Sequence, residues 1–104
     1  MDPRNTKLAK LLVDYSCEIK EGEKLLIETV GFDALDLVHE ITHAAVAKGA
    51  HVYHNIRHDR IHRRFLLDAT EEQIKAQAKY DLYRMRDMNC YIGIRGTGNT
   101  MELS

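Results

Sequence analysis

The chain has 104 residues, which suffices for one domain with a modest core and leaves little room for a second. Its 15 Lys and Arg against 16 Asp and Glu give a net charge of −1, which argues against a dedicated nucleic-acid-binding protein. The first residues are too polar for a signal peptide and no apolar run approaches the roughly 18 residues of a membrane span, so we expect a cytoplasmic protein without a membrane partner.

Hydrophobic periodicity and helix-end signals divide the chain into seven predicted elements. They are a helix from Asp2 to Ile19, a strand over 24–30, a helix from Asp33 to Lys48, a strand over 52–56, a short helix over 59–67, a helix from Thr70 to Arg86 and a strand over 90–95. Asp2 before Pro3 is a typical helix start, and Gly49 is a typical helix end. Thr70 followed three residues later by Gln73 matches a capping box.

The order of these elements predicts the fold class. A strand, a helix of about 15 residues and a second strand form a βαβ unit, which implies parallel pairing and a right-handed crossover. We therefore expect an α/β domain with a three-stranded, mainly parallel sheet and flanking helices, the opening part of a doubly wound, Rossmann-like fold. After the third strand only the polar loop GTGNT and a few residues follow, so we also expect the domain to continue beyond residue 104.

The second helix contains the string HEITH, which matches the HExxH signature of zinc proteases. His39 and His43 lie one turn apart and can converge on one ion, with Glu40 as the general base. A zinc site needs a third protein ligand. The extended signature of one zinc protease group has a glycine at 46 and a histidine at 49, where this chain has Val46 and Gly49.

Helical phase gives a second argument against a zinc site. At 100° per residue, Ala34, Leu37, Val38, Ile41, Ala44 and Ala45 cluster on one side of the helix. His39 and His43 fall nearly opposite and should face water or a neighbouring domain. Glu71 and Glu72 are conceivable further ligands, but acidic residues are common in the first turn of any helix. We therefore predict no catalytic or metal site at HEITH, with weak metal binding as the open alternative.

Three further segments contain candidate functional residues. Residues 51–64 carry four His and four Arg and could bind an anion or nucleic acid, or a metal through His58 and His62; we expect instead a solvated helix face, because the chain is not basic overall and no aromatic residues interleave with the arginines. The loop over 96–100 follows a strand and could hold a phosphate, although it lacks the P-loop and dinucleotide spacings. Cys17 and Cys90 lack CxxC spacing, so we expect two reduced thiols, with Cys90 packed in a strand.

Several stretches, in order along the whole chain, resemble one known family. They are MDPRNTKLAKLLVDYS, IKEGEKLLIET, AAVAKGAHV, RFLLDATEEQ and YIGIRGTGNTMELS. They resemble the amino-terminal region of the aminopeptidase T and aminopeptidase S family, which are thermophilic-type metallo-aminopeptidases. One departure is Glu21, where the family commonly has proline.

The resemblance implies an α/β amino-terminal segment of a larger enzyme that acts on peptide substrates with two divalent metal ions, zinc or cobalt. In the family the metal ligands lie in the carboxy-terminal half, so no catalytic, cofactor-binding or metal residue can be assigned within 1–104. We accordingly expect a scaffolding segment that is inactive alone and part of a homo-oligomer. The alternatives are a stand-alone α/β module that binds an anionic ligand at 57–64 or 96–100, and an independent zinc protease using HEITH.

Overall fold

A computed structural model describes residues 2–95 and 100–103, which form four α-helices and four strands. The elements are α1 (Pro3–Leu11) continued by a π-helical turn (Leu12–Ser16), β1 (Lys24–Val30), α2 (Leu35–Ala47), β2 (His51–Arg57), α3 (Asp59–Asp68), α4 (Glu71–Arg86), β3 (Cys90–Arg95) and β4 (Thr100–Leu103). Within these described residues, no helix is long and apolar enough to cross a membrane.

The strands form one sheet in the order β2-β1-β3-β4. β1 lies between β2 and β3 and pairs with both in parallel, so that Leu25 is opposite Val52 on one side and Cys90 on the other. The predicted α/β class and parallel three-stranded sheet are confirmed. The structure adds β4, a short antiparallel strand on β3, where the sequence predicted only a closing loop and terminal residues.

Local signals explain most helix ends. The Asp2 carboxylate accepts a hydrogen bond from the backbone N–H of Arg4 at 2.9 Å, and Thr70 and Gln73 form the predicted capping box. Gly49 has a φ of +83°, which favours glycine after a helix. Two predicted helix bounds were wrong. The first helix ends with the π-helical turn at Ser16 and not at Ile19. α2 does not begin at Asp33, because residues 33–34 still form a turn and Ala34 occupies the N-cap position without a side-chain cap.

One face of the sheet carries the hydrophobic core. Alternate strand residues on this face pack against α1, the π-helical turn and α2, and the most buried among all of these are Val13, Leu25, Ile27, Ile41, Ala45 and Ile92. The alternation follows from the two-residue period of a strand, which sends successive side chains to opposite faces. α3 and α4 contribute no buried residue, so the opposite face of the sheet has no comparable apolar core.

The two cysteines are joined, and the prediction of two reduced thiols was therefore wrong. Cys17, just after the π-helical turn, forms a disulfide with Cys90 at the start of β3, with their Cα atoms 5.9 Å apart. The sequence separation of 73 residues gives no sign of this proximity. Cys17 and Cys90 come close because the turn before β1 returns the chain to the end of the sheet where β3 begins. At that end Cys90, the first residue of β3, pairs with Leu25 of β1.

Candidate functional site

The HEITH segment lies in the middle of α2, with both histidines exposed. Leu37, Val38, Ile41 and Ala45 are buried on the opposite side, which confirms the predicted helical phase. The side chain of His39 is 69% exposed, so water surrounds the group that a zinc site would need to shield. Exposed histidines of this kind do not form the dry cavity in which metal-assisted hydrolysis takes place.

Glu40 has a structural role in the contact between α1 and α2. The hydroxyl of Thr6 on α1 donates a hydrogen bond to Glu40 Oε1 at 2.8 Å, and His39 Nδ1 lies 3.1 Å from Oε2. The hydrogen bond from Thr6, followed by that from His39, lowers the pKa of Glu40 below its ordinary value. A carboxylate with a lowered pKa and both oxygens in use is a poor general base, because it holds a proton weakly near neutral pH.

The residues of this region do not fit a resident metal ion. Across residues 2–95 and 100–103, no group of three or more His, Cys, Asp or Glu side chains is arranged to hold one. Glu71 and Glu72 lie in the first turn of α4, as predicted, and Glu71 pairs with Lys75 one turn later at 3.1 Å. HEITH therefore occupies a surface helix without a third ligand in the described part of the chain.

The basic segment 51–64 is divided between β2 and α3. His58 caps α3, because its Nδ1 accepts a hydrogen bond from the backbone N–H of Arg60 at 3.1 Å, which leaves only its Nε2 for the suggested pair with His62. Arg57 and Arg64 bond to carboxylates, at Asp81 and Asp68 respectively. The other suggested anion site lies mostly outside the described residues, since the structure describes nothing between 96 and 99.

A cluster of polar side chains lies where α4 covers the second face of the sheet. We call it the ionic network; it consists of Glu28, Asn55, Arg57, Asp81, Arg84 and Tyr91. Glu28 on β1 is central, since Asn55 donates to its Oε2 at 2.6 Å and the Tyr91 hydroxyl donates to its Oε1 at 2.8 Å. β2 and β3, the two neighbours of β1, thus each donate one hydrogen bond to the Glu28 carboxylate.

The other half of the ionic network attaches α4 to the sheet. Asp81 accepts two hydrogen bonds from Arg57, at 2.8 and 2.9 Å, and one from Arg84 at 2.9 Å. Burial alone would raise the pKa of Asp81, but the bonds from Arg57 and Arg84 outweigh it and leave the pKa below its ordinary value. Because α4 buries no apolar residue, these charged contacts are its main anchor among those that the structure describes.

The ionic network borders a cavity of about 500 Å³ between the sheet and α4. Its wall combines apolar residues such as Val30 and Ile74 with the charged groups of Glu28, Arg57 and Asp81. The guanidinium of Arg84 lies over the ring of Tyr80, and its Nε is buried without a hydrogen-bond partner among the described residues. The ionic network contains two carboxylates and two guanidinium groups, so its formal charges cancel. This balance favours attachment of the helix over binding of a strongly charged ligand.

Sequence reasoning missed the ionic network because its members come from four elements. The one local sign was Glu28 in the run KLLIETV, since a carboxylate in a buried strand requires hydrogen-bond partners. The sequence around Gly93 does not indicate that this position requires glycine, although a Cβ there would lie 2.7 Å from the Tyr91 hydroxyl oxygen. The ring of Tyr91 therefore occupies space that glycine leaves open.

The fold and this arrangement of residues define an α/β domain, and comparison with known proteins assigns it to the metallopeptidases. The sequence model of the family described as thermophilic metalloprotease (M29) matches residues 1–104. The chain belongs to this family, and the predicted family resemblance is confirmed.

One solved structure similar to the chain is wild-type AmpT from Thermus thermophilus. The two share 27% sequence identity, with a TM-score of 0.49, over a match that covers 67% of this chain and 18% of that chain. The chain thus spans about a fifth of that relative's length. In a search of curated proteins, nothing matches the chain.

Proposed function

We propose that residues 1–104 are the amino-terminal α/β segment of a two-metal aminopeptidase, and that this segment is a scaffold without catalytic residues. The family match over residues 1–104 carries the proposal. The parent enzyme would release amino-terminal residues from peptides. Its two divalent ions, zinc or cobalt, would be bound by residues outside this segment.

The geometry of HEITH supports the proposal that this segment is a scaffold and that the catalytic residues lie outside it. His39 and His43 are exposed, and Glu40 is already hydrogen-bonded to Thr6 on α1. A residue that joins two helices contributes to the stability of the segment, and the same bonds make it unsuited to proton transfer. We therefore assign Glu40 a structural role in the parent enzyme.

The parent enzyme would be a cytoplasmic homo-oligomer without a nucleic-acid or membrane partner. The Cys17–Cys90 disulfide bears on this proposal, because disulfides are rare in most cytosolic proteins. Intracellular proteins of hyperthermophiles are the known exception, and the family to which the chain belongs is described as thermophilic. The cross-link is therefore compatible with a cytoplasmic enzyme of that kind.

The test compares two proteins in one assay, the hydrolysis of leucine p-nitroanilide with added cobalt or zinc. The first is the 104-residue chain, for which we expect no metal-dependent release of p-nitroaniline. The second is the product of the reading frame as it continues past Ser104, for which we expect clear metal-dependent release. A stop codon directly after Ser104 would contradict the proposal.

Two substitutions in the longer protein test the role of HEITH. His39→Ala should leave the rate within a factor of about two, because the side chain is exposed and touches no reacting group. Glu40→Gln should lower thermal stability slightly and leave the metal dependence of the rate unchanged. If either substitution abolished turnover in a folded protein, or if the 104-residue chain alone were active and lost activity in His39→Ala, the scaffold proposal would be wrong.

A further inference from the structure

The cavity of about 500 Å³ beside α4 lies at the carboxyl ends of the parallel strands. Its lining includes Val30, Arg57 and Arg95, the last residues of β1, β2 and β3. Val30 is the register partner of both others, with Arg57 on one side and Arg95 on the other. In open α/β sheets, ligands bind outside the carboxyl ends of the strands. The position of the cavity therefore favours a ligand site.

The chain order places the same cavity at the point where the sheet changes direction. β1 connects to β2 through α2 on the core face, whereas β2 connects to β3 through α3 and then α4, which bonds to the opposite face. β3 thereby pairs with the other side of β1, and the strand order reverses between β1 and β3. Such a reversal is the topological switch point, where doubly wound folds bind their ligands.

Both walls of the cavity belong to this segment. The sheet forms one wall, and α4 forms the other through Ile74, Gln77 and Met85. The volume lies within the range of about 300–1,000 Å³ that is typical of ligand pockets, and the mixture of apolar and charged lining is typical of them as well. The side chains of Glu28 and Arg57 are only 16% and 21% exposed, so water screens their charges less than it does at the surface.

Glu28 and Arg57 retain hydrogen-bonding capacity toward a ligand. Glu28 accepts from the neutral groups of Asn55 and Tyr91, and its ion pair with Arg84 is 3.9 Å long, which is beyond hydrogen-bond distance. Both bonds from Arg57 to the Asp81 carboxylate come from one nitrogen, Nη2. The Nη1 and Nε groups of Arg57 make no hydrogen bond within the described part of the chain, although a guanidinium has five N–H donors.

We propose that this cavity binds a small zwitterion with an apolar side chain, of the class of a free α-amino acid such as leucine. Glu28 accepts hydrogen bonds from the ammonium group, Arg57 donates to the carboxylate, and Val30 and Ile74 contact the side chain. The register places Glu28 opposite Asn55, two residues before Arg57, so the two charges lie on one face of neighbouring strands.

The balance of charges selects the zwitterion. The formal charges of the ionic network cancel, so a ligand that is itself neutral overall leaves no unpaired charge in the cavity, whereas a simple cation or anion does. Free apolar amino acids are also what the proposed parent enzyme would release. The binding itself goes beyond that proposal and does not depend on peptidase activity.

A ligand series tests the proposal on the 104-residue chain, with amide chemical shifts followed by NMR. L-Leucine should give saturable shifts at Val30, Gln77 and Arg95, with a dissociation constant on the order of 1 mM or below. Leucinamide lacks the carboxylate and 4-methylpentanoate lacks the ammonium group, and each should bind at least about tenfold more weakly. The absence of saturable shifts by about 20 mM leucine, or equal affinity for leucine and either analogue, would overturn the proposal.

Filling the cavity provides the second test. Ala78 lines the cavity and is itself exposed, so a larger side chain there leaves the ionic network intact. Ala78→Phe should weaken leucine binding at least about tenfold, because the ring takes the space of the ligand. Ala76→Phe is the matched control, since it adds the same ring about 200° away on the same helix and should leave binding unchanged.

Circular dichroism checks the folding of both variants, and Ala78→Leu replaces Ala78→Phe if that variant does not fold. Undiminished leucine binding in folded Ala78→Phe or Ala78→Leu would refute the proposed site. Because no turnover is measured, this outcome is independent of whether the parent enzyme is active.

Discussion

The disulfide between Cys17 and Cys90 should contribute strongly to the stability of the fold. It closes a loop with a sequence separation of 73 residues. In the chain-entropy account, a cross-link over that length raises the free energy of the unfolded chain by roughly 4 kcal/mol at 25 °C. A small domain is stable by only about 5–15 kcal/mol in total, so this bond supplies a large share of the free energy of unfolding.

Urea unfolding at 25 °C, followed by circular dichroism, measures this effect. We expect the Cys17→Ala, Cys90→Ala double variant to lose roughly 4 kcal/mol of unfolding free energy, and its melting temperature to fall on the order of 20 °C. Alanine is chosen because Cys90 is buried and a serine there would add an unpaired hydroxyl. Wild-type protein reduced in denaturant and refolded under reducing conditions is the control, and its stability should match that of the double variant.

Two results would refute this account of the disulfide. If unfolded, unreduced wild-type protein reacted with a thiol reagent at both cysteines, the bond would be absent and the original expectation of reduced thiols would be correct. If the bond were present but its removal cost less than about 1 kcal/mol, the reduced unfolded chain would already hold Cys17 near Cys90, since a pre-formed contact leaves little entropy to remove.

The ionic network gives the remaining predictions. Asp81→Asn should lower the free energy of unfolding by about 2 kcal/mol and speed amide hydrogen exchange in α4, since it leaves Arg57 without its partner carboxylate. The control is Lys75→Ala, which removes an exposed ion pair and should lower the free energy of unfolding by less than about 0.5 kcal/mol. Because the folded-state pKa of Asp81 lies below the ordinary 3.8, its stabilisation is complete above that pH and is lost as the pH falls through the folded-state value; Asp81→Asn should lack this part of the acid sensitivity. Gly93→Ala should lower the free energy of unfolding in urea by about 1–3 kcal/mol, because the added Cβ would meet the Tyr91 hydroxyl. The loss should be smaller in a Tyr91→Phe background, and equal losses in both backgrounds would contradict the clash.

Local signals allowed most of the fold to be predicted. The caps at Asp2 and Thr70 and the left-handed Gly49 depend on contacts within a few residues, which a sequence displays directly. β4 and the disulfide were missed for the opposite reason. Each depends on two segments meeting after the sheet has formed, and nothing near Cys17 or Thr100 indicates which distant residue will be adjacent.

The site predictions divide along the same line. Helical period alone placed the two histidines of HEITH away from the core, because all the residues concerned lie on one helix. The ionic network could not be derived in that way, since Glu28 and Asp81 are 53 positions apart in the numbering and are joined by Arg84, which lies 3.9 Å from Glu28 and 2.9 Å from Asp81. A carboxylate in the apolar run of β1 requires hydrogen-bond partners, but the run itself does not indicate which residues they are.

The two faces of the sheet are built on different principles, and this difference has consequences for function. α1 and α2 are fixed by apolar packing around Ile41, which depends little on pH or salt. α4 is fixed mainly by charges around Asp81, which weaken when the carboxylate is protonated. An element with few buried apolar contacts rearranges at a lower free-energy cost than one packed in the core. Under the scaffold role proposed above, we expect α4, rather than the helix that carries HEITH, to respond to contact with the proposed remainder of the enzyme.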